Sequence, residues 1–180
     1  MLKDILSRRG RKFLLSVGDD GAVLVYMVAG KVEGRFYFNN VTAPEIEKVF
    51  LGDTEARVYV LVDVSDQSYL QHSLPPVSAM NVSKMVARRL EKEFDRTDIK
   101  GALPLGRSTT GRKDWNFLFL SVRNVAPLSD WLELIAELPN ELVGIYLLPI
   151  ETEPLVKAIK KAVATENVAQ ASEWQNASNA

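Results

Sequence analysis

Four carboxylates, Asp19, Asp20, Asp63 and Asp66, are the residues whose type and spacing come nearest to catalytic chemistry. Acidic side chains gathered at strand ends hold the metal pair of ribonuclease H-like nucleases, where two cations clamp the attacking and leaving oxygens of a phosphodiester. Asp19 and Asp20 are equally accounted for by a turn, and Asp63 and Asp66 by the exit of a strand. The sole histidine, His72, has no cysteine partner and no Gly-x-Ser-x-Gly elbow to serve. No ligand spacing suggests zinc. Gly106 to Lys113 superficially resembles a phosphate-binding loop, yet that chemistry needs Gly-Lys-Ser/Thr opening a helix, so that helix N–H groups and a hydroxyl meet phosphate and magnesium. Here Arg112-Lys113-Asp114 follows Gly111 and a strand comes next, so the segment reads as a mobile basic loop. No catalytic residue, cofactor site or metal site is expected.

A second constellation concerns binding. Lys84, Arg88, Lys92 and Arg96 recur every fourth residue, opposite an apolar stripe of Val82, Val86, Leu90 and Phe94. Like charges at that spacing cost a helix about 0.2–0.5 kcal/mol per pair, softened where Glu91 and Glu93 reach Arg88 and Arg89. The stripe is tolerated by the helix rather than favoured by it. It suits either a solvated face or a docking face for an acidic partner, with Lys84, Arg88, Arg89 and Lys92 as the contact residues.

The elements that carry these residues follow a clear order. Phe13–Val17 and Ala22–Val28 flank Gly18-Asp19-Asp20-Gly21, a hairpin signal. Ala29-Gly30 makes the next turn, and Val32, Gly34, Phe36 and Phe38 alternate with Glu33, Arg35 and Tyr37, completing an antiparallel meander. Thr42 with Pro44 and Glu45 reads as a capping box opening a short helix that buries Ile46, Val49 and Phe50 and stops at Gly52. Arg57-Val58-Tyr59-Val60-Leu61-Val62-Asp63 is apolar without alternation, as a parallel strand covered on both faces would be. After a polar break, Tyr69–Leu74 is a short strand ended by Pro75-Pro76, and a helix spans Ser78 to Phe94. Ile99–Leu105 is a further strand, and Trp115–Val122 another, expected beside the Arg57–Asp63 strand. Ser129 is expected to cap a helix burying Trp131, Leu134, Ile135 and Leu138. Gly144–Leu148 is the last strand, and Thr152 should cap a final helix with Leu155, Ile159, Ala162 and Val163 inward.

Size and composition agree with this layout. A chain of 180 residues fits one domain with a lobe and buries roughly 70% of its unfolded surface. Cysteine is absent, which excludes disulfides, thiolate metal sites and thiol nucleophiles. A net charge of −1 gives no global field for nucleic acid. No apolar run reaches the roughly 18 residues of a membrane span. Residues 1–12 form a basic lead-in, with five basic side chains against Asp4 alone. Residues 13–164 form a single α/β domain with an inserted lobe at about 65–106, and residues 165–180, rich in Ala, Asn, Ser and Gln, form a flexible tail or linker.

The succession of segments over about residues 12–163 resembles the first half of the actin-like proteins of type IV pilus and type II secretion platforms: the PilM family, the cytoplasmic part of GspL, and BfpC. The residues that carry it are Phe13–Phe38 as the first three strands, Val58–Val64 as the next, and Leu74-Pro75-Pro76 before the Met80–Phe94 helix as the inserted lobe. Trp115–Val122, the Ser129–Leu138 helix and Gly144–Leu148 complete the match. The resemblance implies a mixed sheet with a three-stranded meander, αβ units and a small lobe, half of an actin-like or ribonuclease H-like fold. It implies a non-enzymatic, cytoplasmic scaffold at the inner face of the bacterial inner membrane, whose partners are the assembly ATPase and inner-membrane platform proteins, with no nucleic acid. Membrane contact would be indirect or through a segment beyond Ala180. An actin-like nucleotide-binding domain or ATPase is the alternative, and a ribonuclease H-like nuclease the next. The sequence departs from the family at Gly18-Asp19-Asp20-Gly21, one residue shorter than the family's phosphate turn, so nucleotide binding is not carried over. It departs again at Arg88-Arg89, where family members carry an acid.

Overall fold

The computed structural model describes residues 10–42 and 44–152. The basic lead-in before residue 10, the helix expected beyond Thr152 and the expected tail lie outside the described residues.

The meander forms as its turns dictate. β1 (Arg11–Gly18) pairs antiparallel with β2 (Gly21–Val28), and β2 with β3 (Lys31–Phe38). Only one of the two turns carries its positive φ at the centre: Ala29 and Gly30 have φ of 51° and 83°, the combination that matches strand twist in a two-residue hairpin loop. In the first turn the positive φ falls on Gly21, at 139°, and not on Asp19 or Asp20. A Cβ on Gly21 would stand 2.4 Å from the Phe38 carbonyl oxygen, so β3 closes over this position only because it is glycine.

α1 (Glu45–Leu51) follows, and then β4 (Arg57–Asp63), which lies parallel to β1 on one side and to β8 (Leu142–Leu147) on the other. The five-stranded sheet has the order β3-β2-β1-β4-β8. α1 and α3 (Leu128–Glu137) share one of its faces, where Phe13, Leu15, Leu24, Val58 and Val60 meet Ile46, Phe50, Trp131 and Ile135. Phe13 stands edge-on to Phe50 at 4.9 Å, and Phe38 lies 6.2 Å from Trp131. On the other face Tyr59 and Tyr146 stack at 6.1 Å, and the buried Lys12 ammonium lies 5.8 Å from the Tyr59 ring.

β5 (Gln67–Leu74), α2 (Ala79–Glu93), β6 (Ile99–Arg107) and β7 (Trp115–Val122) build a second sheet of order β5-β7-β6. The expectation that Trp115–Val122 lies beside β4 is overturned. β6 and β7 are joined by a short loop, so β7 finds its antiparallel neighbour locally, and β8 takes the place beside β4. The apolar run reports a central strand, which β7 is, but in the sheet of the lobe. That sheet extends to Val122, past the end expected near Gly106.

Three helix starts also differ from expectation. Thr42 donates its hydroxyl and backbone N–H to Asn40 Oδ1, so the capping box does not form and Pro44 stands at the N-cap. Pro127 takes the N-cap position of α3, where a missing N–H costs nothing, and Ser129 is already helical. Helix has begun by residue 148, and the Thr152 hydroxyl donates back to the Leu148 carbonyl instead of capping. Gly52 ends α1 with φ of −62°, a conformation open to any residue.

Asn140, just past α3, ties the layers together. Its buried side-chain amide donates to the carbonyls of Asp53 and Ala56 at 2.9 and 3.0 Å, fixing the loop that feeds β4. Asn140→Ala should destabilise the chain by about 2 kcal/mol, the net worth of two such bonds. The midpoint of urea unfolding checks this, and an unchanged midpoint would assign the loop's order to other contacts.

Candidate functional site

Two surfaces gather the residues singled out above. The first is a cleft of about 450 Å³ beside the β1–β2 turn, lined by Ser16, Gly18, Asp19, Asp20, Asn39 and Asp63 among others. Parallel pairing of β1 with β4 sets Gly18 opposite Asp63, which brings the three acids to one sheet end. Both carboxylate oxygens of Asp19 lie 3.0–3.1 Å from the Ser65 backbone N–H, so Asp19 fastens the β4 exit. No lysine or arginine lines the cleft. Its charge opposes a polyphosphate unless cations come with it. Among the described residues, no group of three His, Cys, Asp or Glu side chains is arranged to hold a metal ion.

Asp66 does not join these acids. It pairs with Arg123 at 3.6 Å and lines a separate polar cleft of about 360 Å³ with Glu93, Asp95, Asp98 and Ser121. Asp98 accepts the Ser121 hydroxyl there at 3.0 Å, and the Asp95 carboxyl is held below its usual range by the backbone N–H and hydroxyl of Thr97. His72 lies against Phe119, with Nε2 4.0 Å from Glu93. In the β6–β7 loop, Arg112 pairs with Asp114 at 2.8 Å and the Arg107 guanidinium stacks 4.1 Å from the Trp115 ring, so these charges are engaged locally.

The second surface is α2. Val82, Met85, Val86, Leu90 and Phe94 pack on Leu74, Phe117 and Phe119, which leaves the cations facing outward. Lys84, Arg88 and Lys92 are exposed, while Arg89 is half-buried and paired with Glu93 at 3.0 Å. Glu91 turns away from Arg88 to meet Lys100 of β6 at 3.1 Å, leaving Arg88 without the neutralisation the sequence offered it. Arg96 falls outside the stripe because the helix ends at Phe94 in an extended conformation. Arg88, Arg89 and Lys92 line a groove of about 460 Å³ with Ser73, Leu74, Pro75 and Met85. Lys84 is not among its lining residues. The strand side of this groove is invisible in the helical periodicity; its only sequence signal is that β5, Gln67–Leu74, carries no charged residue.

No family model and no curated protein sequence matches the chain. Solved structures do. The cytoplasmic domain of EpsL, an inner membrane component of the type II secretion system of Vibrio cholerae, superposes with a TM-score of 0.53 at 14% identity, over 77% of this chain and 57% of that one. The PilM–PilN type IV pilus biogenesis complex matches with a TM-score of 0.55 at 16% identity, over 78% of this chain and 48% of the other. The chain thus spans about half the length of each. Among the described residues no helix is long and apolar enough to cross a membrane. At such identities the likeness is one of architecture: the chain has the actin-like fold of type II secretion and type IV pilus platform proteins.

Proposed function

We propose that the chain is a non-enzymatic scaffold of a type II secretion or type IV pilus platform, acting on the cytoplasmic side of the inner membrane and docking the assembly ATPase and other platform proteins. The observation that carries this is the architecture shared with the EpsL cytoplasmic domain and with the PilM–PilN type IV pilus biogenesis complex. The docking face is α2, through Lys84, Arg88, Arg89 and Lys92. Every charged residue lining the first-turn cleft is an acid, Asp19, Asp20 or Asp63, which favours this over the nucleotide-binding alternative.

The test is capture of partners from the native organism's lysate by the full chain and by its Arg88→Glu/Arg89→Glu/Lys92→Glu form, with thermal melts in Mg-ATP alongside. The native chain should retain a secretion or pilus ATPase and the reversed form should lose it. Retention by both would move the docking face off α2. Capture of no such ATPase, together with stabilisation by Mg-ATP of about 2.7 kcal/mol at 100 times its dissociation constant, would replace the scaffold by the nucleotide-binding alternative.

A further inference from the structure

We propose that the groove between β5 and α2 binds an extended, acidic segment of a partner protein as an added strand on β5. β5 is an outer strand of its sheet, paired with β7 on one side alone among the described residues. Its other side presents a row of backbone N–H and C=O groups, the template that strand addition uses. Natural sheets guard such edges with charge or proline. β6, the opposite edge of the same sheet, carries Lys100, Pro104 and Arg107, whereas all eight residues of β5, Gln-Ser-Tyr-Leu-Gln-His-Ser-Leu, lack both. Tyr69 and Leu70 on it are 38% and 39% exposed, so the edge is open and partly apolar.

The helix beside the Ser73–Leu74 end of this edge decides what the added strand must be there. Leu74, Pro75 and Met85 give the groove an apolar floor, and every charged residue lining it is a cation: Arg88, Arg89 and Lys92. Successive side chains of an added strand point alternately to the two sheet faces. Those on the α2 side would meet the floor and the cations. The complementary ligand is therefore an extended segment with aspartate or glutamate and a small apolar residue on one face. An amphipathic helix would fill the floor and leave the edge of β5 unpaired. This proposal rests on α2 being the docking face and adds how the partner is held.

The probe is a short synthetic peptide alternating glutamate with valine, with two controls, lysine for glutamate and proline for valine. Binding to the full chain is followed by fluorescence anisotropy and by residue-resolved amide hydrogen exchange. The glutamate peptide should bind, and alternate amides of β5 should slow in its presence. The proline control, in which every second residue has no N–H to donate and is locked out of the β-strand φ, and the lysine control should not bind. Arg88→Glu/Lys92→Glu, at exposed positions that leave the core intact, should weaken binding roughly tenfold or more. Equal binding of the glutamate and lysine peptides, or protection confined to α2, would overturn the proposal. So would concentration-dependent self-association that protects β5 without peptide, since the edge would then serve a second copy. If the charge-reversed form loses its partner in the capture experiment while neither peptide nor partner protects β5, strand addition falls and the docking face stands. If capture is unaffected and the peptide does not bind, both fall.

Discussion

Trp131→Ala is expected to lower the stability of the chain by about 3–5 kcal/mol, the range for truncating a fully buried aromatic. Trp131 is 1% exposed and is the largest fully buried side chain of the core. It stands on α3 and reaches β3 through Phe38, while Ile135, one turn on, enters the same core. Its loss would leave a cavity between helix and sheet that neither can close, because each strand is held in register by its ladder and α3 is held by the rest of the same core. Against a usual total of about 5–15 kcal/mol, this is a large fraction. At about 2–4 °C per kcal/mol for a chain of this size, the melting temperature should fall by roughly 6–20 °C. Thermal melting followed by far-ultraviolet circular dichroism measures it. A fall below about 2 °C would mean that α3 is held to the sheet by something other than Trp131.

Phe119→Ala is expected to cost a comparable amount, about 3–5 kcal/mol, but at a different place. Phe119 has no exposed surface and lies at the centre of the small cluster of Leu74, Phe117 and the apolar side of α2. That cluster is distinct from the core that holds α1 and α3. Few buried groups tie α2 to its sheet, so removing one should open the lobe before the five-stranded sheet unfolds. Amide exchange should speed up across α2, β5, β6 and β7 while β1 and β4 keep their protection. On the docking face proposed above, partner capture should fail under conditions where the main sheet is intact, because Arg88, Arg89 and Lys92 would lose the platform that sets them beside the end of β5. Uniform acceleration across both sheets would show instead that the lobe and the main sheet unfold as one unit.

These two expectations also separate what could be read locally from what could not. The helical period of α2 and its apolar stripe were legible because they depend on residues three and four apart. So were the hairpins, where Asp20-Gly21 and Ala29-Gly30 sit between apolar runs, and the buried character of β4, where alternation disappears. The resemblance to actin-like platform proteins rested on the order of such elements, and the solved structures share that architecture.

Helix starts were less legible. Thr42, Ser129 and Thr152 are all good capping residues by type, yet each spends its hydroxyl elsewhere: on Asn40, on Asp130 and on the Leu148 carbonyl. A short polar side chain has several partners within reach, and tertiary placement of the chain chooses among them. The destination of Glu91 was hidden for the same reason, since Lys100 comes within its reach only once β6 folds under α2.

The sequence by itself determined the element types, the meander, the burial of β4, the apolar run of β7 and the one-sided charge of α2, because each follows from neighbours a few residues apart. Only the tertiary structure decided that β7 belongs to the lobe and that β8 stands beside β4. It alone gathered Asp19, Asp20 and Asp63 at one cleft while sending Asp66 to another. It also placed the end of β5, at Ser73 and Leu74, alongside Arg88, Arg89 and Lys92. Which strand pairs with which depends on hydrogen bonds between segments far apart in the chain, and an apolar run records that a strand is buried without recording its partner.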